Sequence, residues 1–148
     1  MGQKNHYLAI EGEASNWEEA IRLCGEAIEN AGYADGSFMD ACIDREKEYP
    51  TGLPTEIPVA IPHSKVESIK ENCVCLLRLK EPVEFRRMDD DEKRIQTRII
   101  FNLAIKGGDT HLEFLQTLMS SIMDKEMIEQ CMKKEIREIP EYLEKKLN

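Results

Sequence analysis

The chain lacks the loops by which most phosphate-handling proteins are recognised. It has no G-x-G-x-x-G run, no G-x-x-x-x-G-K-[ST] loop and no G-x-S-x-G elbow, so nucleotide binding or serine hydrolysis by those routes is not expected. No apolar run approaches the roughly 20 residues of a membrane-spanning helix. Basic residues are in the minority: 20 Lys and Arg stand against 29 Asp and Glu, a net charge of −9. A balance this acidic gives no long-range attraction to nucleic acid or anionic lipid. Residues 1–60 carry 4 basic and 12 acidic side chains and the remainder 16 and 17, so any cationic docking surface belongs to the second part. The opening residues Met1–His6 hold no apolar core of a secretory signal, and His6 stands where a myristoylation signal has Ser or Thr. A cytoplasmic protein is the expectation.

Paired cysteine motifs are missing as well. The five cysteines, at 24, 42, 73, 75 and 131, form no C-x-x-C pair and have no histidine at ligand spacing. They read as buried thiols of a reducing compartment, with zinc as the alternative. Asp89-Asp90-Asp91 lacks the spacing of a calcium loop and reads as part of a solvated turn over 88–93. No metal and no cofactor is expected.

What is present fits one soluble α/β domain over residues 1–148. The chain of 148 residues is 41% hydrophobic and 33% charged, enough for a single core. A short strand is expected over 6–11. Ser15-Asn16-Trp17-Glu18 reads as a capping box with Ser15 at the cap, followed by apolar residues at helical spacing from Trp17 to Ala31 and a stop at Gly32. Ser37 can cap a second helix that runs to Glu48 and is halted by Tyr49-Pro50-Thr51-Gly52-Leu53-Pro54. Strands are expected over 58–62, 73–79, 83–85 and 97–105. Gly107-Gly108 should break the last of these. A helix capped by Asp109 or Thr110 follows, with Leu112, Leu115, Leu118, Met119 and Ile122 on one face. Helices over about 125–134 and 136–147 close the chain. Alternating helices and strands without repeats imply a mixed sheet flanked by helices.

Three histidines are the candidates for chemistry near neutral pH. His6 reads as structural or exposed. His63 follows the strand Val59-Ala60-Ile61 and Pro62, whose ring fixes the chain direction. Ser64 after it can cap a short helix from about 65, whose N–H groups would face a bound anion. His63 is therefore either displayed for function or a satisfied loop histidine. His111 is either a first-turn polar residue or a partner to it. Arg45, at the end of a helix before the Pro-rich loop, could meet both. Two histidines and an arginine suit a phosphoryl group, one imidazole carrying it and the others offsetting its charge.

Arg45-Glu46-x-x-Tyr49-Pro50-Thr51-Gly52-Leu53-Pro54, Val59-Ala60-Ile61-Pro62-His63-Ser64 and Phe101-x-Leu103-Ala104 leading to His111-Leu112-x-x-Leu115 together resemble the fructose/mannitol-type IIA domain, enzyme IIA type 2, of the bacterial phosphotransferase system. The resemblance runs from the helix at 16–31 to the last helix. Val83-Glu84-Phe85 with Met88–Asp91 looks most like its galactitol-type branch. The resemblance implies a mannitol-type IIA fold and a phosphoryl group taken from phospho-HPr. It maps the accepting residue onto His63, as tele-phosphohistidine, with His111 and Arg45 beside it. It further implies transfer to a cysteine of a IIB protein, which phosphorylates sugar entering through the membrane IIC component. The spacing from Arg45 to His63 is looser than in mannitol-type proteins, with extra loop around Gly52-Leu53-Pro54, and Glu56 is a candidate for an acidic site residue. A regulatory relative that is phosphorylated at His63 but signals elsewhere, and a non-catalytic interaction module, are the alternatives.

Overall fold

Residues 5–65, 67–106 and 109–147 are described by a computed structural model, without the side chains of 109–111. The strands are β1 (Asn5–Gly12), β2 (Gly52–Leu53), β3 (Val59–Ala60), β4 (Asn72–Arg86) and β5 (Arg94–Ala104). The helices are α1 (Trp17–Asn30), α2 (Gly36–Glu48), α3 (Asp109–Ile122), α4 (Lys125–Lys133) and α5 (Ile139–Leu147), the last entered through a 3₁₀ turn, Ile136–Glu138. The sheet order is β1-β4-β5-β3-β2. β1 runs parallel to β4 and β3 parallel to β5, while β4/β5 and β2/β3 are antiparallel. This is the expected mixed sheet with helices on both faces.

Alternation along β4 divides the core. Cys73, Cys75 and Leu77 point to the layer made by α1 and α2; Val74 and Leu76 point to the layer made by α3, α4 and α5. Cys24, Cys42, Cys73 and Cys75 all lie in the first layer and Cys131 in the second, and all five are buried free thiols. Burial pushes Cys42 and Cys131 up to about 12 and raises Cys24 and Cys73 above the ordinary thiol range, so these four remain protonated packing groups.

Several boundaries move for local reasons. The α1 cap is Asn16, not Ser15: the Asn16 side chain accepts from the Glu19 N–H at 2.9 Å, while Glu19 reaches back to the Ser15 N–H at 3.3 Å. Gly32 follows the helix end as expected, at φ 86°. α2 is capped by Asp35 rather than Ser37, whose own N–H and hydroxyl donate to the Asp35 carboxylate. The expected strands over 73–79 and 83–85 are one strand. Its pairing to β5 shifts between Arg78 and Val83, where Pro82 has no N–H to donate. The strand expected over 58–62 shrinks to Val59–Ala60, and the supposed loop before it contains β2. On α3 the buried stripe is Phe114, Leu118 and Ile122, whereas Leu112 is exposed. The Gly107-Gly108 break lies outside the described residues.

Candidate phosphoryl-transfer site

The edge of the sheet places His63. β3 is held between β5 and β2, and beyond it His63 bridges Leu103 of β5. The backbone before the imidazole is tied on both sides. The Ile61 N–H donates to the Thr51 hydroxyl at 3.2 Å and the Thr51 carbonyl at 3.3 Å. The Pro62 carbonyl accepts from the Leu103 N–H at 3.0 Å and from the Asn102 side-chain amide at 2.9 Å. The ring Nδ1 lies 2.8 Å from the Ile61 carbonyl. A carbonyl only accepts, so Nδ1 carries a proton and, in the neutral ring, Nε2 the lone pair.

Beside His63 opens a cleft of about 660 Å³, lined by Arg45, Glu48, Tyr49 and Thr51 and by Met88 and Asp89–Asp91. α2 brings Arg45 there in its last turn, and the Arg45 guanidinium lies over the Tyr49 ring, 5.2 Å from its centre. The helix end is fastened by Arg86 of β4, which donates to the Glu46 and Lys47 carbonyls. Arg45 and His63 are thus brought together. The turn expected to be merely solvated also lines the cleft, with Arg87 paired to Asp89.

His111 lies in the first turn of α3, and its side chain is outside the described residues. Glu56 does not line the cleft and pairs with Lys125 of α4 at 2.8 Å. His6 is structural, stacked on Tyr33 with ring centres 4.2 Å apart and 3.1 Å from the Glu71 carboxylate. No helix opens after Ser64 among the described residues: Lys65 is irregular and Glu67–Ser68 form a turn. The expected helix N–H groups are therefore not available to an anion there. Three contributors escaped the sequence reading. Glu46 and Thr51 hold the approach to His63 from one side, and Asn102 holds it from the other.

A half-buried histidine with a defined tautomer, beside an arginine and an open cleft, is what a carrier of an anionic group needs from an α/β scaffold. Residues 3–146 match the family model described as phosphoenolpyruvate-dependent sugar phosphotransferase system, EIIA 2. The chain belongs to this family of phosphotransferase phosphoryl carriers. It is 32% identical to the mannitol-specific phosphotransferase enzyme IIA component of Enterococcus faecalis, over 85% of each chain. It is 26% identical to the galactitol-specific EIIA component of Escherichia coli K12, over 86% of this chain and 85% of that one. Against the mannitol-specific EIICBA component of Escherichia coli K12 it is 30% identical over 87% of its length, but spans only 19% of that longer protein. A solved complex of mannitol enzyme IIA and phosphorylated enzyme IIB from Escherichia coli matches 92% of this chain and 94% of that one, with a TM-score of 0.72 and 27% identity. Among the described residues no helix is long and apolar enough to cross a membrane.

Proposed function

We propose that the chain takes a phosphoryl group from phospho-HPr onto Nε2 of His63 and passes it to a cysteine of a IIB protein, which serves sugar entry through a IIC component. The observation that carries the reading is the Nδ1 bond to the Ile61 carbonyl, which leaves the lone pair on Nε2. In the first half-reaction that lone pair forms the N–P bond as the bond to HPr breaks. In the second, a IIB thiolate attacks phosphorus and the pair returns to Nε2. Phosphoryl transfer of this kind depends on positioning and charge compensation. Arg45 supplies the positive charge, and His111 is the second proposed contact. Glu48 and Asp89–Asp91 temper the field, which suits a group that must leave again. The solved complex of a related IIA with phosphorylated IIB supports the partner class. Galactitol is the proposed sugar, from the resemblance of Val83–Phe85 and Met88–Asp91 to that branch.

The test is incubation with phosphoenolpyruvate, enzyme I and HPr. One acid-labile phosphoryl group on Nε2 of His63 is expected, with none on a His63→Ala variant. Onward transfer to galactitol-type IIB should outpace transfer to mannitol- or fructose-type IIB. Label on His6 or His111 instead would overturn the site, and acceptance without transfer to any IIB would favour the signalling alternative.

A further inference from the structure

We propose that Glu46 is a positioning residue for transfer at His63, acting through Thr51 on the backbone of Ile61, whose carbonyl orients the imidazole. The proposal rests on the reading of His63 as the acceptor. Glu46 sits in the last turn of α2 and is only 4% exposed, an unusual place for a carboxylate. Both of its oxygens are used by one residue: Oε2 accepts from the Thr51 N–H at 2.7 Å and Oε1 from the Thr51 hydroxyl at 2.9 Å. Thr51 is itself buried, and its hydroxyl and carbonyl share the Ile61 N–H. The carbonyl of Ile61, on the far side of its Cα, accepts a hydrogen bond from His63 Nδ1–H. Hydrogen bonds relayed through the backbone of Ile61 therefore connect the helix that carries Arg45 to the His63 ring.

The arrangement couples the two site residues. Arg45 and Glu46 are neighbours on α2, so the helix that presents the cation also braces the residue whose carbonyl fixes the tautomer. Arg86 of β4 secures the same turn by donating to the Glu46 backbone carbonyl. If Glu46 only fastened the Pro50–Leu53 loop, its loss would lower stability and leave the ring of His63 unchanged. If it positions His63, its loss changes the ring.

The experiment compares wild type with Glu46→Ala, Glu46→Gln and Thr51→Val in the whole chain. Ring nitrogen chemical shifts of His63 are recorded by long-range proton–nitrogen NMR, and phosphoryl acceptance from phospho-HPr is timed by rapid quench. Glu46→Ala should move the ring from the Nδ1–H form toward a mixture of tautomers and slow acceptance about tenfold, the effect of one hydrogen bond. Glu46→Gln keeps an acceptor for the Thr51 N–H and should remain within about threefold of wild type. Thr51→Val, close in shape to the native residue, should behave like Glu46→Ala and carries the test if that variant does not fold. Folded Glu46→Ala or Thr51→Val with wild-type ring shifts and rates would overturn the proposal. Wild-type protein that accepts nothing would instead overturn the carrier reading, while the ring shifts would still decide the role of Glu46.

Discussion

At Glu46 two effects oppose one another. Burial disfavours the charged carboxylate and pushes it up to about 7, against the hydrogen bonds from Thr51 and the nearby Arg86 and Arg45 charges, which pull it down. The folded state therefore holds the proton more tightly than the unfolded chain. The stability this confers is complete below about pH 4.5 and is lost as pH rises through about 7, a span worth roughly 3 kcal/mol. Glu46→Gln should remove that component, so urea denaturation at pH 5 and pH 8 should show a smaller fall for the variant than for wild type. Equal falls would show that Glu46 does not titrate in this window. Neither Glu46 nor Asn102 was legible as a support of the chain leading to His63. In Asp44-Arg45-Glu46-Lys47-Glu48 a glutamate reads as one of a solvated set, and its burial depends on a threonine beyond the helix end. Asn102 reads as an interruption in an apolar strand, and its bond to the Pro62 carbonyl joins residues 40 positions apart. That Arg45 and His63 share one cleft was legible, because both flank a single Pro-rich loop.

Short elements carry more of the site than their length suggests. β2 has two residues, yet it pairs with the strand that leads to His63, and Gly52 also bridges Arg87 beyond the end of β4. A Cβ on Gly52 would stand 2.5 Å from the Arg86 carbonyl oxygen and 3.0 Å from Ile95 Cγ1. Gly52→Ala must therefore displace backbone, with an expected loss of about 1–3 kcal/mol measured by urea denaturation. Unchanged stability would mean that the close approach relaxes freely. The pairing of β2 was not legible because Thr51-Gly52-Leu53-Pro54 has the composition of a turn. The division of β4 into two expected strands has a similar origin, since Lys80-Glu81-Pro82 reads as a break but is absorbed by an irregular stretch of one strand.

Across the whole molecule, the alternation of helices and strands was enough to give the mixed sheet and its two helical layers. Strand order was not legible, since β1 lies against β4 rather than its sequence neighbour β2. The assembled surface places Tyr49, 60% exposed, and Met88, 45% exposed, at the cleft that also holds Arg45 and Asp89–Asp91. Apolar contact ringed by acidic side chains suits partners that bring basic residues. If HPr and IIB exchange the phosphoryl group at His63 as proposed, each must reach the same Nε2, so they should compete for this face. In an NMR titration, added IIB should displace HPr and perturb overlapping resonances around Tyr49 and Met88. A ternary complex would rule out a shared face.

In the proposed carrier role, the bond from His63 Nδ1 to the Ile61 carbonyl would also set the quality of the leaving group. With a phosphoryl group on Nε2, a ring that keeps its Nδ1 proton would depart as neutral imidazole rather than as an anion. The carbonyl favours retention of that proton by accepting it in a hydrogen bond. On that proposal, a peptide oxygen two residues before the histidine would help keep the stored group transferable.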